Sequence, residues 1–173
     1  MEHSIKLYSL SLREAKTYLF AILFVAGNIV LPQVVHLVPG GGLTWLPIYF
    51  FTLIAAYKYG IRVGLLTAVL SPLMNSALFG MPAVAVLPAI LVKSVLLAVA
   101  ASYFAHKAGK ISLLAILAAI AAYQILGSAI EWAMTGSFAI AVQDFRIGIP
   151  GMLVQLFGGY FVLKLLWKRH LRK

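Results

Sequence analysis

An ionisable or amide side chain inside a long apolar run is costly to hold in lipid, so each one marks a partner, a water path or a ligand. The chain has few, and they fall in register. Lys93 interrupts an apolar run. Gln124, Ser128 and Glu131 recur at i, i+4 and i+7, and Thr67, Ser71 and Asn75 at i, i+4 and i+8, each set on one helical face. Asn28 and His36 flank Pro32, and Gln155 interrupts a stripe of Gly148, Gly151 and Gly159. A buried ammonium at Lys93 needs either a carboxylate, for which Glu131 is the intramembrane candidate, or the carboxylate or phosphate of a ligand. Trp132, beside Glu131, suits an interfacial anchor or the wall of a site for a cationic ring. Each polar residue also has a plainer use. Thr67 and Ser71 can bond back to their own helix. Asn75, Gln124 and Gln155 can tie helices together. His36 suits the interface, and Asp144 and Arg146 read as loop residues.

Catalysis finds little support. The chain has no cysteine and only four acidic residues. It has no His-Glu-x-x-His or Gly-x-Ser-x-Gly pattern, and Gly40-Gly41-Gly42 lacks the Lys and Ser/Thr of a phosphate loop. Glu131 and His36 are the one acid–base pair an enzyme might use. We therefore expect no enzyme, no cofactor and no metal.

The elements that position these residues are expected to be membrane helices. Hydrophobic residues make up 63% of the chain and charged residues 10%, with a mean hydropathy of +1.01. That leaves too few charges to cover a water-facing surface. A span takes about 20 apolar residues, and six runs qualify: 17–38, 43–59, 61–79, 83–104, 111–134 and 147–167. The first is too long for a signal peptide's apolar core and contains Pro32, so it reads as a retained span. The second is short. Glycine- and proline-rich turns separate the early runs, and the longest break covers about 135–146. A weak echo at an offset of about 40 residues pairs Pro32 with Pro72 and Gly40 with Gly80. The expectation is a single domain over 1–173, an all-α integral-membrane bundle of six helices.

Charge orients it. Lys6, Arg13, Lys16, Lys58, Arg62, Lys107, Lys110, Lys164, Lys168, Arg169, Arg172 and Lys173 fall on one side, leaving Arg146 on the other and Lys93 within a span. By the positive-inside rule both termini are cytoplasmic and the protein is multi-pass in the cell (inner) membrane. Lys93 then lies near the midplane, about 16 Å inward from Pro82 at helical rise. His36, Asn75 and Glu131 sit near the outer surface, with Gln124 and Gln155 between. That gradient describes a pocket open outward and closed to the cytoplasm.

Length, short outer loops and two local stretches carry a family resemblance. The stretches are Leu87-Pro88-Ala89-Ile90-Leu91-Val92-Lys93 and Ile149-Pro150-Gly151-Met152-Leu153. The chain resembles the substrate-binding S component of an energy-coupling factor (ECF) transporter. The resemblance implies high-affinity capture of a vitamin or related micronutrient from outside, without catalysis. It also implies a transmembrane T component and two cytoplasmic ATPase subunits as partners, and no nucleic acid. Spans four to six would build the pocket from Lys93, Gln124, Glu131, Trp132 and Gln155, with Asn75 and Trp45 as wall or roof. An Ala-x-x-x-Ala docking motif in span one is not matched, since Ala21 is followed by Val25; the nearest small pair is Thr17 with Ala21. A membrane scaffold or assembly protein of the cell envelope is the alternative. The substrate stays open: Lys93 suggests an acidic or phosphorylated compound, Glu131 and Trp132 a cationic ring.

Overall fold

Backbone amides in lipid must be satisfied within their own segment, which favours helices wherever the sequence stays apolar. The computed structural model describes residues 9–168, and these are helical with no strand among them. Lys6, Arg169, Arg172 and Lys173 lie outside the described residues. Helices α1 (Ala15–Val35), α4 (Ile61–Phe79), α5 (Leu87–Ala108) and α6 (Leu113–Thr135) are long and apolar enough to cross a membrane. So is the rod formed by α9 (Ile149–Leu153), a π-helical turn (Val154–Gly158) and α10 (Gly159–Lys168). That makes five candidate membrane-spanning helices. Short helices α2 (Gly41–Trp45), α3 (Phe50–Tyr59), α7 (Phe138–Ala141) and α8 (Gln143–Ile147) complete the order. The last two fill the expected break over 135–146.

The bundle turns its large apolar side chains outward. Leu19, Ile22, Leu23, Leu114, Ile125 and Phe161 are all well exposed, while the face of α1 that carries Thr17, Ala21, Phe24, Asn28 and Pro32 is buried. Lipid, unlike water, accepts that outer surface.

The run 43–59 is not one helix. Leu46 takes a left-handed conformation (φ 46°), which a Leu adopts at a cost, and Pro47 follows with no amide hydrogen to give. The helix restarts after a 3-10 turn over Pro47–Tyr49. The resulting α3 has 10 residues, about 15 Å at helical rise and half a bilayer core. It is apolar on every side, and Leu53, Ile54, Ala55, Ala56 and Tyr57 are completely buried. This is the signature of a central helix, and α1, α4, α5 and α10 pack around it. Helix α5 also begins later than expected, at Leu87 rather than 83, because Pro88 suits a first helical turn.

One proline sets the polar chemistry of the α1–α3–α4 core. Pro32 lies inside α1 and cannot donate to the carbonyl of Asn28, four residues back. Asn75 of α4 fills the gap: its Nδ2 donates to Asn28 O at 2.8 Å and to Ser71 O at 2.9 Å. The Asn28 side chain in turn donates to Thr52 Oγ1 (3.0 Å) and Ser71 Oγ (3.1 Å), and it accepts from the Phe51 N–H (3.2 Å) at the start of α3. An otherwise unsatisfied helix-start amide is thus capped from a neighbouring helix.

At the opposite end, basic side chains tie helix ends together. Lys58 Nζ donates to Leu166 O (2.7 Å) and Arg62 to Leu10 O (3.2 Å). Tyr57 OH donates to Lys110 O (2.8 Å). The start of α1, the α3–α4 and α5–α6 turns and the end of α10 therefore share one basic end.

Asn75→Leu should leave Asn28 O without its donor and lower stability by about 1–2 kcal/mol. Thermal unfolding of the purified protein in detergent measures this. Unchanged stability would show that the proline gap is filled some other way.

Candidate functional site

Lys93 lies two turns into α5, about 9 Å from the helix start at helical rise. Its stem crosses α6 at Gly127, where a Cβ would come within 2.6 Å of Lys93 Cγ. Only a glycine leaves room for that crossing. The ammonium then meets two carboxylates: Glu131 Oε2 at 2.6 Å, and Asp144 Oδ2 at 2.8 Å, to which it donates a hydrogen bond. The three side chains are 4%, 12% and 13% exposed. Among the described residues these are the only ion pairs within 4.0 Å. Lys93 is therefore not a lone cation. Glu131 is the partner its helical face allows, and Asp144 of α8 is one the loop reading missed.

A second polar group is built around Tyr123 of α6. The rings of Tyr49 and Tyr123 pack at a tilt with centroids 5.3 Å apart. Tyr123 OH donates to Gln155 Oε1 and accepts from Gln124 Nε2, both at 3.0 Å. Gln155 sits in the π-helical turn, a distortion common at functional sites. Ser94 Oγ, Ser128 Oγ, Gln124 Oε1 and Gln155 Nε2 are buried with no protein partner. Native proteins leave few such atoms, and four in one neighbourhood is a concentration of unused hydrogen-bonding capacity.

The short helices hold the far wall. A Cβ at Gly151 would meet the backbone of Trp45 at 2.4 Å and Leu46 N at 2.9 Å, so the start of α9 lies directly on the strained Leu46 turn. Tyr49, three residues on, packs against Tyr123 of α6. Beside the centre, an apolar cleft of about 330 Å³ lies among Pro32, His36, Leu43, Pro47, Ile48 and Ile90. The 3-10 turn and the start of α5 supply part of its lining.

Of the sequence candidates, Lys93 pairs with Glu131, while Gln124 and Gln155 meet at Tyr123. Three other candidates lie elsewhere. Trp132 is 51% exposed and packs on Phe138; Trp45 is 42% exposed and contributes backbone rather than its ring. Asn75 is committed to the Pro32 gap. Asp144, Tyr49 and Tyr123 join the site instead. Tyr49 and Tyr123 had no sequence signal beyond being aromatic in an apolar run. Among the described residues no group of three or more His, Asp or Glu is placed to hold a metal ion.

Thr17 and Ala21, the nearest small pair of span one, are buried against the rest of the bundle. No protein-family model, curated protein or solved structure matches the chain.

Lys93→Met would strand two carboxylates and should cost about 3–5 kcal/mol. Glu131→Gln or Asp144→Asn, each leaving one ion pair, should cost less. Removing all three charges together should recover most of the loss in a thermal-unfolding comparison. A triple variant no more stable than Lys93→Met would mean the three side chains do not act as a unit.

Proposed function

We propose that this chain is the substrate-capture subunit of an ECF-type importer, binding a vitamin or related micronutrient in the chamber around Lys93, Glu131 and Asp144. The observation that carries the reading is the set of four buried, unpartnered polar atoms beside a buried charge centre. A scaffold needs its polar groups bonded to one another, as the Asn28–Asn75 group is. Unused donors and acceptors suit a ligand better. The basic, helix-tied end lies away from this chamber, which fits capture from one face and closure at the other.

On this reading α2, the 3-10 turn and α3 together make a sixth crossing, a broken one whose irregular backbone lines a cavity rather than lipid. Both termini are cytoplasmic, and the chamber faces outward. The chain carries no nucleotide-binding motif. Binding alone equilibrates a solute without concentrating it, so a T component and two ATPase subunits would supply the drive.

Two measurements test the proposal. The cysteine-free chain permits clean labelling: Ala83→Cys and Ala139→Cys should react with an impermeant thiol reagent in intact cells, and Lys107→Cys only after lysis. Labelling of Lys107→Cys from outside would invert the topology. In vesicles loaded with ATP, the protein alone should fail to concentrate radiolabelled nutrients from a defined vitamin mixture, and added T and ATPase subunits should permit it. Concentration driven by a proton or sodium gradient with this chain alone would overturn the reading.

A further inference from the structure

The capture reading leaves the substrate class open, and the charge count of the chamber narrows it. Four acidic residues face fourteen basic ones in this chain, yet two of the four converge on the single buried lysine. With all three groups ionised the centre holds one net negative charge. Arg146, two residues beyond Asp144, is exposed and makes no ion pair with it. An uncompensated charge at this depth is expensive unless something positive offsets it.

An anionic substrate fits poorly. It would have to displace a carboxylate from Lys93, whose ammonium already sits 2.6 and 2.8 Å from two of them, and it would bring the centre to two net negative charges. A cation does the reverse. It neutralises the centre without breaking either ion pair.

The second observation is independent of charge. Ser94, Gln124 and Gln155 are fully or almost fully buried, and each keeps a polar atom without a protein partner. Gln124 and Gln155 are held at Tyr123, and Gln124 lies two turns before Glu131 on the same face of α6. The free amide oxygen of Gln124 accepts a hydrogen bond, and the free amide nitrogen of Gln155 donates one.

We propose, building on the capture reading, that the chamber takes a small organic cation. Its ammonium or positively charged nitrogen ring lies against Glu131 and Asp144, and its polar substituents meet Gln124, Gln155 and Ser94. The acidic or phosphorylated compound suggested by Lys93 alone is set aside, because Lys93 serves to hold the two carboxylates together.

Copurified small molecules test this. Wild-type protein and the Asp144→Asn and Glu131→Gln variants, each checked for a monodisperse profile and a cooperative unfolding transition, are incubated with yeast extract, washed and extracted. The released compounds are identified by mass spectrometry. The wild type should carry a compound cationic at neutral pH, enriched about tenfold or more over either variant. Enrichment of an anionic or neutral compound overturns the charge inference while leaving capture intact, and so does equal retention of a cation by both variants. No enriched compound of any charge overturns capture itself, and the inference with it.

Discussion

One ammonium held between two carboxylates, away from water, is the constraint around which this end of the bundle is organised. At the effective dielectric of a protein interior such contacts are strong, and breaking one side strands a charge that lipid cannot solvate. The contact also joins distant pieces of chain. Lys93 is on α5, Glu131 near the end of α6, and Asp144 on the five-residue α8, which has little apolar surface to hold it. Without the ion pair, α8 would be a surface turn. With it, α8 is fastened to α5. Gly127 makes this possible by clearing the path of the lysine stem.

The second organising device is a repaired defect. Pro32 removes a helix hydrogen bond in α1, and Asn75 of α4 restores the carbonyl's partner. The repair fastens α1 to α4, while Asn28 caps α3 between them. The two polar groups differ in kind. The amides around Asn28 are used up in mutual bonds, so the group rigidifies. The amides around Tyr123 are half used, which leaves capacity for something else. Counting unused polar atoms separates glue from site more reliably than polarity does.

That distinction explains what the sequence could and could not reveal. Long apolar runs with a helical spacing of polar residues disclosed all five candidate spanning helices to within about four residues at either end. They also put Gln124 and Glu131 on one face. Periodicity has no way to report that Pro47 follows a left-handed Leu46, so the run 43–59 read as one helix rather than as α2, a 3-10 turn and α3. Asn75 looked like a site residue because its partner is a backbone carbonyl, which no residue pattern displays. Asp144 looked like a loop residue because it falls with Gln143 and Arg146 in the break between two long apolar runs; only the fold brings α8 to Lys93. The offset pairing of Pro32 with Pro72 and of Gly40 with Gly80 has a structural counterpart. In each case a helix with an internal proline ends near a glycine of positive φ.

The two ends of the molecule solve the same electrostatic problem differently, and the contrast bears on function. At the basic end, Lys58 and Arg62 donate to backbone carbonyls at helix ends, where the helix dipole is negative or the chain is unpaired. Those cations need no acidic partner, so that end stays positive and still closes tightly around Tyr57. At the other end the acids outnumber the one buried lysine, and the polar side chains around them keep open valences. On the proposed capture reading, the carboxylate in excess of Lys93 and the unused amide atoms of Gln124 and Gln155 are completed by a positively charged guest.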